Sequence, residues 1–303
     1  SLTTGYYSTF LGVRAGRSIT TGNSNTFIGW QAGYAVTDTS NKIAIGYRAG
    51  YADGGELDVF IGYEAGLNVT AGDNIGIGRS AGRGFHGVGQ TEFQANTTAR
   101  YNVSIGSFAS NRVIGQANIH IGYKAGMNAS GSNNTFMGYE AGLGGTTSAP
   151  YSSGQNNVAL GYQALTAFTT GYSNVAIGYG AADALTDGGN NIAIGQSALG
   201  AANSGEFENV AIGVTAMGNV DNSGADNNVA IGYNAGLGGS GQFSANVAIG
   251  AYALDGTGAA GVGGVVAIGY GAMTAANNTN VDYSVAVGHS ALGELQSGQQ
   301  NVA

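Results

Sequence analysis

Seventeen carboxylates and three histidines are the side chains here that could move protons or ligate a metal, and no cysteine accompanies them. Two carboxylates held at the proper separation can perform glycosidic acid/base work. The acids that could do so are Glu56, Asp58, Glu64, Asp73, Glu92, Glu140, Glu206 and Glu208. Glu206 and Glu208, two residues apart, would project in one direction from an extended segment; the other reading of these acids is a solvated turn. Of the histidines, His86 lies in an irregular stretch, and His289 follows a glycine where tyrosine is common. His120 takes a mid-strand position given to alanine in most units and to phenylalanine in several earlier ones. If three chains met there, His120 and its copies could hold a metal or an anion on the axis; the alternative is a hydrogen-bonded packing residue. These residues form no catalytic constellation, so neither an enzyme nor a cofactor is expected.

Aromatic side chains offer a different chemistry. Trp30, Tyr47, Tyr63, Tyr123, Tyr139, Tyr162, Tyr179, Tyr233 and Tyr270 each directly follow a glycine at one repeated position. Rings with a polar handle suit glycan or protein contact, and they suit packing between chains equally well. With Phe85, His86 and Tyr151, from two irregular stretches, the earlier members of this stripe make the candidate binding surface.

What must position these residues is a repeat. An aliphatic residue, a glycine, two variable residues and an alanine recur at Gly12, Gly29, Gly46, Gly62, Gly78, Gly106, Gly122, Gly138, Gly161, Gly178, Gly195, Gly213, Gly232, Gly250, Gly269 and Gly288. The spacing is 16 to 19 residues except for gaps of 28 and 23, which mark insertions near 79–102 and 144–155. Beyond the second insertion the residue after the alanine changes from mostly glycine to mostly leucine or methionine, as at Leu165, Leu199 and Met217. That is read as a change of packing variant within one repetitive rod, 1–303. The last residues, Asn301-Val302-Ala303, open a seventeenth unit, so a longer repetitive parent protein is expected.

Before each glycine stands a short period-two segment, as in Asn157-Val158-Ala159-Leu160. Three to five such residues are too few to stand alone and suit one rung of a stacked solenoid. The predicted fold is therefore all-β, a parallel β-solenoid (β-roll or β-helix) of about sixteen coils. At about 4.8 Å per coil it would span roughly 75 to 80 Å. Both strand faces are apolar. One is expected to line its own coil; the other, mostly alanine (Ala159, Ala176, Ala193), is expected to meet neighbouring chains near a common axis in an intertwined or packed homotrimer. Asn recurs four residues before the glycine, where it serves as a turn former or stacks as an amide ladder.

Composition narrows the function classes. Glycine is 57 of 303 residues without a three-residue period, which excludes collagen, and a hydrophobic fraction of 43% excludes disorder. A net charge of −8 with only 9 Lys+Arg makes a poor counterion-release partner, so no nucleic acid is expected. No apolar run is long enough to span a membrane, and no membrane contact is expected within this segment. Phosphate-binding glycine loops and calcium-binding nonapeptides are missing as well.

The units Asn157-Val158-Ala159-Leu160-Gly161-Tyr162-Gln163-Ala164 and Asn174-Val175-Ala176-Ile177-Gly178-Tyr179-Gly180-Ala181 resemble head repeats of trimeric autotransporter adhesins. They look still more like the repetitive shafts of phage tail-fibre-type proteins, which often precede a self-cleaving intramolecular chaperone domain. The resemblance spans residues 9 to 303. It implies a homotrimeric extracellular fibre shaft or adhesin stalk, at a cell surface or on a virion, with a cell-surface glycan or protein as receptor. Two other readings stand beside it: a carbohydrate-active β-helix enzyme, and a subunit of a self-assembling extracellular filament joined end to end through an uncapped rung.

Overall fold

In each repeat, a β-branched or aliphatic residue, a small or aromatic residue and a second aliphatic make a strand of three residues. The glycine that follows ends it. All sixteen repeat glycines have φ between 126° and 143°, and a Cβ at Gly122 would run into the carbonyl of Gly138 in the next rung. Only glycine fits such a corner. Three residues on, the alanine N–H closes the turn on the glycine carbonyl, at 3.4 Å for Ala125 to Gly122. Stacking this corner on its own copies selects the repeat.

A computed structural model describes residues 6–52, 54–84, 99–112, 115–145, 151–239, 241–257, 261–274, 281–294 and 298–303. Phe85, His86 and Glu92 lie outside the described residues. The chain forms two compact units, Ser1–Gln155 and Asn156–Ala303. In the first, eight strands from Thr9–Leu11 to Thr135–Met137 pair in parallel, each with the next in sequence and in register. In the second, eight more from Val158–Leu160 to Val285–Val287 do the same, and a short accessory pair joins Phe243–Ser244 to Val262–Gly263. Each unit is a parallel β-solenoid with one repeat per coil.

The two strand faces are the reverse of the expectation. The middle residue, alanine or phenylalanine, is the one that points into its own coil: Phe27, Phe136, Ala159 and Ala211 are fully buried. The flanking aliphatics point outward, and Ile43, Ile119, Met137 and Ile231 are 37 to 41% exposed. Alanine therefore does not face a neighbouring chain. The physical reason lies in the coil's narrow interior. The alanine after each corner also points inward, so one inward side chain per strand fills the space that remains.

The interior explains the change of repeat variant. In the first unit Phe27, Phe60 and Phe136 occupy the column, and a Cβ on Gly33, Gly66 or Gly142, six residues later, would strike those rings. In the second unit the column is alanine, and the sixth residue is a buried leucine or methionine in five rungs, as in Ala159 with Leu165, Ala193 with Leu199 and Ala211 with Met217, while the Ala176 rung has the smaller Ala182. Phe-plus-Gly and Ala-plus-Leu are two ways to fill one cross-section. The rung of Ala230 keeps Gly236, and there Phe243 comes within 3.2 Å of where a Cβ would stand and takes up the space.

Asparagine does form the ladder. The Nδ2 of Asn174, Asn191, Asn209, Asn228 and Asn246 each donates to the Oδ1 of the Asn one rung earlier, at 2.9 to 3.2 Å. The same oxygens also accept the backbone N–H of the next Asn, as from Asn191 to Asn174 at 3.0 Å. In the first unit Asn102 and Asn118 continue it from Asn74. These side chains are at most 5% exposed, so the amides have little water to turn to and are saturated by one another and by turn carbonyls.

Candidate functional site

The outward face of each ladder is its most distinctive surface. Position by position it carries β-branched or aliphatic residues on both sides of the buried middle residue, then an aromatic just past the glycine. Antiparallel sheets with one wet face alternate apolar and polar; here both flanking positions are aliphatic in all eight rungs of the second unit and in five of the first, where Thr9, Thr26 and Thr135 take the leading position in the others. At about 4.8 Å per rung, such a stripe is roughly 38 Å long in one unit.

The aromatic positions line the edge of this face. Trp30, Tyr47 and Tyr63 stack face to face at 4.8 and 4.9 Å, with interplanar angles of 11° and 6°. Tyr123 stacks on Tyr139 at 5.2 Å, Tyr162 on Tyr179 at 5.1 Å, and His289 on Tyr270 at 5.2 Å. Tyr252 joins Tyr233 and Tyr270 edge-on. All of the aromatics expected in the stripe are exposed by 39% or more. Stacking uses up ring faces, so inner members such as Tyr47 present edges and hydroxyls rather than the open platforms that sugar rings lie on. Tyr151 is the exception in the candidate surface: it is buried, with the Arg112 guanidinium 5.6 Å from its ring, and belongs to the interior. A second column was not anticipated. Tyr34 stacks on Tyr51 at 5.0 Å, flanked by Arg17 and Arg48, and the 17-residue spacing of the two tyrosines was the signal for it.

The acids separate rather than converge. Glu64 lies between Arg48 at 3.6 Å and Arg83 at 3.4 Å, and Glu140 pairs with Lys124 at 3.2 Å. Glu56 and Asp73 line an open polar groove with Thr70 and Arg100. Asp58 is fully buried, 3.6 Å from the equally buried Lys42 ammonium. Both stand at ladder positions where other rungs carry Asn, so the amide stack is interrupted here by an ion pair. Glu206 and Glu208 do not project together. Glu206 is fully buried, whereas Glu208, at φ 61°, is exposed. The left-handed residue reverses the alternation that an extended segment would keep.

His120 lies inside its own coil, not at an exposed axial position. It is fully buried, stacks on Phe136 at 4.9 Å and shares a 2.7 Å hydrogen bond between Nδ1 and the Ser110 hydroxyl. Burial pushes its imidazole down to about 3. An on-axis metal or anion site at His120 is thereby replaced by a neutral packing histidine. Among the described residues no group of three or more His, Asp or Glu is arranged to hold a metal.

One electrostatic feature escaped the whole-chain count. All nine Lys and Arg lie in Ser1–Gln155, so Asn156–Ala303 carries nine of the seventeen acids and no basic side chain except the single His289. Compared with protein-family models and with characterised protein sequences, the chain matches none. No described helix is long and apolar enough to cross a membrane.

Proposed function

We propose that this chain is a structural fibre element, a shaft or stalk, whose coils associate through their outward sheet face with copies of the same chain. The observation that carries the reading is that face: aliphatic at both flanking positions in rung after rung, with Ile43, Ile75, Ile119, Ile192 and Ile231 more than a third exposed. Regular apolar stripes of this length mark association surfaces. A partner with the same rung spacing meets every rung equally, and a second copy of the chain is such a partner. Three-fold closure would cover the face without leaving an open filament edge, in keeping with the resemblance to trimeric adhesins and tail-fibre shafts. On this reading the Ile and Val stripes, not the alanines, approach the axis, and the stacked tyrosines seal its margins. The extracellular setting and a glycan or protein receptor belong to the same proposal. Placing a charge in the stripe tests it. Ile119→Lys and Ile231→Lys together should dissociate the assembly into folded monomers with unchanged far-UV circular dichroism. An unchanged assembly would refute the interface.

A further inference from the structure

Two described carboxylates are fully buried, Asp58 and Glu206, and only Asp58 faces a cation. Glu206 stands three residues before Asn209 of the ladder. The same position is Gly188 in the rung before, Ala225 in the rung after, then Phe243 and Val262, all buried. It is an interior column, and Glu206 points into it. The backbone there is fixed, because the Glu206 carbonyl accepts the Asn191 Nδ2–H at 2.8 Å in line with its counterparts in neighbouring rungs. The side chain is not held in this way. Neither carboxyl oxygen makes a well-formed hydrogen bond; only the backbone N–H groups of Glu206 and Asn203 favour its charged form.

The charged groups around it are all acidic. Asp187 comes from the rung before and Asp221 from the loop after, and both act on Glu206 through space. Glu208 follows two residues on, and Asp226 accepts the Phe207 N–H at 2.8 Å. The unit has no Lys or Arg to neutralise an ionised Glu206. A buried carboxylate with no well-formed hydrogen bond and no cation is a costly state, and the smallest ligand that relieves it is a proton.

We propose that Glu206 is a proton-operated latch in Asn156–Ala303: as the neutral acid it lets the coil close around residues 188–226, and its ionisation opens that rung. Burial, reinforced by Asp221 and Asp187 against opposing backbone hydrogen bonds, raises the group from 4.5 to about 7. The folded chain thus holds the proton more tightly than the unfolded chain. The stabilisation is complete below pH 4.5 and is lost as pH rises toward 7. Asp183 and Asp255, half-buried in the same unit, are raised by burial and act in the same direction.

Hydrogen exchange on the full chain, corrected for intrinsic exchange rates, tests the latch. Between pH 5 and pH 8 the protection of the amides around 188–226 should fall about 100-fold. In Glu206→Gln, which carries the neutral shape permanently, most of this pH response should be lost, leaving only the part that Asp183 and Asp255 contribute. Glu206→Ala, the residue that the next rung already tolerates, should behave likewise and covers the case in which Gln disturbs packing. Equal protection of the wild type at both pH values, or a pH response of wild-type size that survives both substitutions, would overturn the proposal. So would restoration of protection at pH 8 by calcium chloride and its removal by a chelator in the wild type alone, because the carboxylate would then hold a cation.

Discussion

Lys42 and Asp58 make the sharpest test of how the interior is held. The ladder position is Asn in most rungs, and here two successive rungs put an ammonium and a carboxylate in its place, 3.6 Å apart and 2% and 0% exposed. The backbone bonds of the ladder persist around them: the Lys42 N–H donates to Asn25 Oδ1 at 3.1 Å, and the Asn74 N–H donates to Asp58 Oδ1 at 2.8 Å. Removing one partner strands the other charge in the interior, so Lys42→Asn or Asp58→Asn alone should cost about 3–5 kcal/mol. The double substitution restores Asn in both rungs, keeps an Oδ1 acceptor for Asn74 and leaves no charge. It should be within about 1 kcal/mol of the wild type or more stable, since uncharged replacements of buried ion pairs are often neutral or stabilising. Urea unfolding followed through Trp30, the only tryptophan and one rung away from Lys42, reads the relevant coils. If the double variant loses the sum of the two single losses, the pair is not coupled and the ladder does not hold this region as described.

The interior column gives a second test. Phe136→Ala should cost about 3–5 kcal/mol, and adding Gly142→Leu should recover a substantial part by converting the rung to the second unit's filling; in a double-mutant cycle, additive losses would refute the exchange. His120, neutral in its coil, should respond to pH in the opposite sense to Glu206. Its folded proton affinity is depressed from 6.5 to about 3, so stability in Ser1–Gln155 is complete above pH 6.5 and is lost on acidification, by about 2 kcal/mol on reaching pH 5. Urea midpoints by Trp30 fluorescence at pH 7 and 5 measure this, and His120→Phe, which matches the Phe-with-Gly pairing next door, should abolish the slope.

Much of this architecture is legible in the sequence because a repeat averages over its own exceptions. Sixteen glycines, each with alanine three residues later, specify a corner that only a stacked coil uses, whereas recurrent Asn suits a turn former as well as a ladder, and only the stacked register decides between them. Period two alone says that Ala159 and Leu160 face opposite ways, but not which way is in. That choice is made by the volume left after the corner alanine has turned inward. Single departures from the repeat were the least legible. Asp58 and Glu206 read as candidate acids or solvated-turn residues, and Lys42 draws no notice, until the register puts all three in interior columns. Glu206 and Glu208 looked paired because the left-handed residue between strand and turn cannot be counted from spacing. The charge asymmetry was present in the sequence and was hidden only by summing over the whole chain.

The central claim is that the outward Ile and Val stripes are a surface between copies of this chain. Light scattering on the eluting peak of a sizing column measures that directly. The account predicts a particle of three chains, three times 30.0 kDa, that persists on dilution to low micromolar concentration. A stable, well-folded particle with the mass of one chain at high concentration would contradict it.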